Sequence, residues 1–240
     1  MGSINNSHHE QTGGVCIFNG ELILLYCDAV NCEIEGKASV KGRIYLTTHR
    51  IVFTATPLQQ SAVLKSFSAP FYAMFDLNLE QPIFGANYIK GKVRGEGDTP
   101  NFVFKLKFNK GGAIEFGQAM SNAAKLASNA ATQQNFQPPP PYTPTASSFY
   151  QAPDTVYQPG YPVGFVLPVN VFPDAPPPGF IYMTQAPPPY PGLNTTGSQP
   201  NYANASNYQT PGYSSAPSAP GFNAANEQPP SYDEATKKAQ

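Results

Sequence analysis

Proline and tyrosine, rather than the usual catalytic side chains, stand at repeated spacings in this 240-residue chain. PPPPY ends at Tyr142, PPPY at Tyr190 and PPSY at Tyr232, so three of the four runs of two or more prolines spell P-P-x-Y. The fourth run, PPPGF, ends at Phe180, an aromatic without a hydroxyl. The spacing has a geometric reason. Proline fixes φ and favours a left-handed polyproline II helix of about three residues per turn, so the first proline and the tyrosine share one face. That face is largely preformed and loses little entropy on entering an aromatic-lined groove.

WW domains present such a groove, with one slot for proline and a second pocket for tyrosine. The candidate WW-binding residues are therefore Pro139, Pro140 and Tyr142, then Pro187, Pro188 and Tyr190, then Pro229, Pro230 and Tyr232. A single peptide of this type binds with an affinity on the order of micromolar, and three copies on one tether add avidity. A phosphate on the tyrosine opposes docking, because a dianion must then enter a pocket shaped for a phenol.

Catalytic chemistry finds no comparable pattern. His8, His9 and His49 are the only histidines, and no nucleophile–base–acid set can be assembled from spacing. Gly91, Gly95 and Gly97 match no nucleotide-binding loop, and Gly111–Gly112 lacks the lysine and hydroxyl of a P-loop, so all five read as turn residues. Cys16, Cys27 and Cys32 are odd in number, form no CxxC and suit a reducing compartment as small buried hydrophobes. A zinc site from Cys27, Cys32 and the His8–His9 pair is disfavoured, because the spacing fits no ligand frame. The expectation is a non-enzyme with no metal and no cofactor. A net charge of −1 without a basic block argues against direct sequence-specific nucleic-acid binding. No apolar run approaches the ~20 residues of a membrane span, and no signal peptide is evident. A myristoylation reading of MGSINNS fails because Asn6 occupies the position that needs Ser or Thr. The expected location is cytoplasmic and nuclear.

Composition divides the chain in two. Residues 1–128 hold four prolines, twelve Lys or Arg and ten Asp or Glu, whereas residues 129–240 hold 23 prolines, two lysines and five acids. The second half has few aliphatic side chains to offset a backbone ordering cost of roughly 1–2 kcal/mol per residue. The expected organisation is a flexible N-terminus over 1–13, one folded domain over 14–128 and a disordered Pro/Tyr-rich tail over 129–240.

Periodicity outlines the domain. Lys41–Ala55 reads as two strands joined at Thr47–His49, with Ile44, Leu46, Ile51 and Phe53 on one face. In ANYIKGKVRGE, Ile89 and Val93 oppose Lys90, Lys92 and Arg94. Phe102, Phe104, Leu106 and Phe108 oppose Lys105 and Lys107 in the next strand. These predict half-buried antiparallel strands, apolar inward and polar outward. After Asn109–Gly112 the period lengthens: Phe116, Ala119 or Met120, Ala123 and Leu126 or Ala127 predict an amphipathic helix, with Glu115 near its start and Lys125 near its end. Six or seven strands and one helix suggest a curved sheet or partly open barrel whose exposed edge the helix covers.

The phrases KGRIYLTTHRIVF, SAPFYAMFDLNLEQPIFGANYIKG and LKFNKGGAIEFGQAM resemble the GRAM domain of the WW-domain-binding protein 2 family, across nearly all of residues 14–128. The resemblance implies a mainly β, pleckstrin-homology-like fold: a seven-stranded barrel capped by a C-terminal α-helix. It implies WW-domain partners such as Yes-associated-type transcription regulators and HECT ubiquitin ligases, chromatin association through those partners, and a transcription-coactivator role.

Further readings concern the strand faces and the tail. Lys90, Lys92 and Arg94 are a candidate patch for weak phosphoinositide binding, with Lys37, Lys41 and Arg43 a second; solvated strand faces are the favoured alternative. PSAP, Pro217–Pro220, resembles a late-domain tetrapeptide, although coincidence is favoured in so biased a segment. Together with lipid binding it would make a trafficking or ubiquitin-ligase adaptor, the alternative to the signalling role. In QPPSYDEATKK the acids Asp233 and Glu234 and the lysines Lys237 and Lys238 suit the two ends of a short helix formed on binding.

Overall fold

Hydrophobic alternation along the first half of the chain is realised as β-structure in the computed structural model, which describes residues 2–57, 63–95, 100–133 and 149–193. In chain order the elements are β1 (Ser3–Ile4), β2 (Val15–Ile17), β3 (Ile23–Ile34), β4 (Val40–Thr47), β5 (Arg50–Ala55), β6 (Ser66–Pro70), β7 (Met74–Glu80), β8 (Tyr88–Val93), β9 (Phe102–Phe108), α1 (Ala113–Gln133), β10 (Tyr150–Gln151) and β11 (Ile181–Met183). The main sheet is antiparallel in the order β1-β6-β5-β4-β3-β9-β8-β7. The seven strands β3 to β9 with α1 behind them form the expected mainly β, pleckstrin-homology-like arrangement.

Long β3 makes the turn between the two halves of this sheet. Its pairing with β4 slips between Cys27 and Val30, where Ala29 takes φ 57° and the Asp28 carboxylate accepts its N–H at 2.7 Å. Such a bulge bends and twists a strand. Beyond it β3 gains a second partner: its first half pairs with β4 alone, whereas Val30–Cys32 pair with β4 on one side and β9 on the other, and the β9 pairing runs on to Ile34. The inward faces meet in an aromatic core that includes Phe53, Phe67, Phe104, Phe108 and Phe116, all fully buried. Phe108 and Phe116 join sheet to helix at 5.3 Å between ring centroids. Each such side chain contributes on the order of 1.5–3 kcal/mol by leaving water.

The helix buries the predicted stripe of Phe116, Ala119, Met120, Ala123 and Ala127. It runs further than expected, to Gln133, because the stretch from Ala127 to Gln133 has no breaker. Lys125 therefore lies more than a turn before the helix end and does not complement its dipole.

Three other expectations need correction. Residues 2–13 are fixed. β1 pairs with β6, the Asn5 carboxamide accepts the Lys65 and Ser66 N–H groups at 2.7 and 3.2 Å, and Ser7 is buried. A free β6 edge supplied the partner. The outer face of β4 and β5 is covered too: Tyr26, Tyr45 and Val52 form a second apolar layer with Val15, Ile17, Val156 and Met183. That layer is closed by a small sheet in which β11 pairs in parallel with β2 and antiparallel with β10.

Residues 149–193 thus do not behave as the expected disordered tail. They lack a core of their own, yet Val163, Leu167, Phe172 and Leu193 join the main core from outside. Their prolines have fewer conformations to lose, which lowers the cost of ordering them. Residues 134–148 and 194–240 lie outside the described residues.

Phe172 shows how tightly this segment is held. It meets Phe116 edge-on at 5.9 Å and sits where a Cβ on Gly112, itself at φ 85°, would approach to 2.7 Å. Phe172→Ala is expected to destabilise the domain by about 3 kcal/mol in urea unfolding. An unchanged midpoint would mean that the segment does not contribute to the fold.

Candidate functional site: a proline–tyrosine motif held against the domain

Glu21 and Arg50 organise the site. The chain leaves β2 at Phe18 and turns back at once, with the Glu21 N–H donating to the Phe18 carbonyl at 3.1 Å and the Phe18 N–H donating to the Glu21 carboxylate at 2.9 Å. Glu21 is fully buried and receives two hydrogen bonds from Arg50, Nε at 2.9 Å and Nη2 at 3.1 Å. The Thr47 hydroxyl donates to it at 2.7 Å. Burial by itself would raise the Glu21 carboxyl, but the Arg50 charge and these hydrogen bonds hold it below the usual carboxylate range. The remaining Arg50 donors reach the Cys16 carbonyl at 2.9 Å and the Ser7 and Ser68 hydroxyls at 3.2 and 3.4 Å. The guanidinium carbon lies 4.6 Å from the Phe18 ring centroid.

The second wall is the β4–β5 turn. Thr47 closes it, accepting the His49 and Arg50 N–H groups at 3.1 and 3.0 Å. Thr48 Oγ1 and His49 Nδ1 lie 2.8 Å apart, which fixes the imidazole. Burial, the largest influence, pushes His49 down to about 4, with Glu21 raising it and Arg50 lowering it. His49 is therefore neutral at physiological pH.

Across this surface runs the segment that carries PPPY. The Thr184 N–H donates to the Ile17 carbonyl at 3.0 Å, the Asn19 N–H donates to the Ala186 carbonyl at 3.0 Å, and the Leu193 N–H donates to the Thr48 carbonyl at 2.8 Å. Between these anchors Tyr190 turns inward and keeps only 6% of its surface exposed. Its ring lies among three others, with centroids 5.8 Å from Phe18, 6.0 Å from Tyr72 and 6.3 Å from His49. Pro187 stays exposed and Pro188 half-buried.

The candidate WW-binding residues are thus separated. Pro187, Pro188 and Tyr190 are placed on the domain, whereas Pro139, Pro140, Tyr142, Pro229, Pro230 and Tyr232 lie outside the described residues, as do PSAP and the lysine-ended segment after Tyr232. Phe18, Tyr72 and the Glu21–Arg50 pair carry no signal in the sequence pattern. His49 read only as a turn residue. Their meeting depends on contacts between residues far apart in the chain.

Lys90 and Lys92 point outward from β8, and Arg94 follows it, also exposed. The face they share is mixed in charge: Lys92 Nζ is 2.9 Å from the Asp76 carboxylate, and Lys105, opposite Lys90, is paired on its other side with Glu33. A shallow cavity of about 330 Å³ between β7 and β8 is lined by Asp76 and Glu80 as well as Lys90 and Lys92. Arg43, from the second basic group, lies over the Phe180 ring at 5.3 Å. The cysteines are buried, with Cys16 and Cys27 thiols pushed up to about 12 by burial, and Cys32 raised further in the same direction. Among the described residues no group of three His, Cys, Asp or Glu could hold a metal ion, and no helix is long and apolar enough to cross a membrane.

Residues 16–126 match the GRAM domain family. The chain is 37% identical over 176 residues to human WW domain-binding protein 2, a match covering 65% of this chain and 64% of that relative. It is 41% identical over 136 residues to the bovine postacrosomal sheath WW domain-binding protein, covering 52% of this chain and 43% of the relative. A UPF0664 stress-induced protein of Schizosaccharomyces pombe is 31% identical over 142 residues, covering 57% of this chain and 79% of that protein. The chain belongs to the WW domain-binding protein 2 family. Among solved structures the Vps36 N-terminal PH domain aligns with a TM-score of 0.42 and 19% identity, covering 53% of this chain and 95% of that one. The GRAM domain of this family member spans β3 to β9 and most of α1, while residues 149–193 lie beyond the matched range.

Two outcomes are expected from the buried network. Arg50→Met leaves Glu21 charged and unmatched, and urea unfolding should register a loss of about 3–5 kcal/mol, with Glu21→Leu/Arg50→Met losing less. His49 has a lower pKa folded than its ordinary 6.5, and so does half-buried His8. The unfolded chain therefore binds more protons in acid, so stability is complete above pH 6.5 and declines as the pH falls toward 4. Urea midpoints at pH 7 and pH 5 test the direction, and a higher midpoint at pH 5 would contradict it.

Proposed function

We propose that this chain is a non-enzymatic adaptor that offers P-P-x-Y ligands to WW-domain proteins. The observation that carries the reading is the repetition: three proline runs end in tyrosine at the same distance from a proline pair. A spacer needs no such register, whereas polyproline II recognition requires it. Relatives named WW domain-binding proteins support the same reading. Within it, the chain recruits Yes-associated-type regulators and HECT ubiquitin ligases, acts as a transcription coactivator, and works in both cytoplasm and nucleus.

Phosphoinositide binding by Lys90, Lys92 and Arg94 draws less support. A headgroup approaching this face meets Asp76 and Glu80 together with the lysines, and a mixed surface attracts an anion weakly. The trafficking alternative, which relies on a lipid anchor, draws less support on the same ground.

A pull-down of WW-domain proteins with the full chain, against a chain carrying Tyr142→Ala, Tyr190→Ala and Tyr232→Ala, tests the adaptor role. Every WW-containing partner should be lost from the triple variant. Partners retained at undiminished levels would place recruitment elsewhere in the chain.

A further inference from the structure

We infer that the GRAM domain is itself a receptor for the central P-P-x-Y motif, and that the pocket of Phe18, His49 and Tyr72 withholds Tyr190 from WW domains until residues 184–193 detach. The inference rests on the adaptor reading and adds that the motif at Tyr190 is occupied within the chain.

The geometry makes the two modes of binding exclusive. A WW domain must take the tyrosine ring into its own pocket, yet this ring is 6% exposed and enclosed by three aromatic rings of the domain. The backbone on either side is tied down by the Asn19–Ala186 and Leu193–Thr48 hydrogen bonds. Swinging Tyr190 outward therefore requires those anchors to break. Pro187 already faces solvent, so the proline half of the motif is presented while the tyrosine half is withheld.

The fit extends beyond Tyr190. At Gly192 the backbone lies so close to His49 that a Cβ would overlap the imidazole ring. Any residue but glycine there forces either the ring or the segment to move, and the ring is held by Thr48. Next in line, Leu193 is buried in the main core. The occupant is the chain's own segment, because β11, which leads into it, is paired with β2.

A closed state lowers the apparent affinity of a ligand by the fraction of molecules that are open. The decisive comparison uses calorimetry with a panel of purified WW domains and a chain carrying Tyr142→Ala and Tyr232→Ala, so that only Tyr190 can respond. This chain should bind at least about tenfold more weakly than the synthetic peptide 184–193, corresponding to an open fraction of about 10% or less. Adding Gly192→Ala should restore peptide-like affinity, while the same change in the peptide should have little effect. Tyr72→Ala, on the domain side, should give the same recovery, with urea unfolding confirming that both variants are folded. A peptide that binds no WW domain overturns the adaptor reading and this inference with it. A peptide that binds, with an intact chain that binds equally tightly, overturns the sequestration alone. A chain that is dimeric by light scattering and becomes monomeric with Gly192→Ala would assign the docked motif to a second copy and overturn the intramolecular form.

Discussion

A single buried ion pair fixes the relation between the start of the chain, the sheet and the proline segment. Arg50 has no exposed route to water, and its charge is matched by Glu21, its remaining hydrogen bonds by Cys16, Ser7 and Ser68. Each partner comes from a different stretch of backbone, so satisfying one guanidinium sets the position of residues 7 to 21 against the β4–β5 turn. Burying charge in this way is a poor source of net stability. Its effect is geometric: a misplaced N-terminal segment would leave a charge without a partner.

Two aromatic surfaces depend on that positioning. Phe18, lying over Arg50, forms one wall of the Tyr190 pocket, and the β4–β5 turn holding His49 forms another. On the other flank, Val15 and Ile17 close the apolar layer over Tyr26 and Tyr45 together with Met183. The proline-rich segment between Tyr150 and Leu193 bridges these surfaces with short contacts instead of a core of its own. A segment with few aliphatic residues can be ordered this way, provided a folded neighbour supplies the other side of each contact.

Much of the barrel was legible because its residues alternate. Ile44, Leu46, Ile51 and Phe53, and the row Phe104, Leu106 and Phe108, point inward as the period-two pattern requires. The helix was legible from Phe116 to Ala127, though its end was not, since an alanine-rich run stops without a cap signal. β2 and β11 are three residues each and pair with one another across most of the chain. No local pattern encodes such a pairing, and Tyr45 and Val52 looked like solvent-facing positions because their cover comes from Val15 and Ile17 together with residues 149–193. The proline–tyrosine spacing revealed a ligand. It did not reveal that one copy already sits in a pocket.

The parallel pairing of β2 with β11 bears on how the chain is made. Ile17 leaves the ribosome long before Met183, its register partner. At roughly 5–20 residues per second, β2 lacks its β11 partner, and the Tyr26 and Tyr45 layer lacks the part of its cover that Met183 supplies, for about 10–30 s during each round of translation. Until then the native register of β2 has no partner strand to set it. A stop codon placed before residue 181 would make that condition permanent.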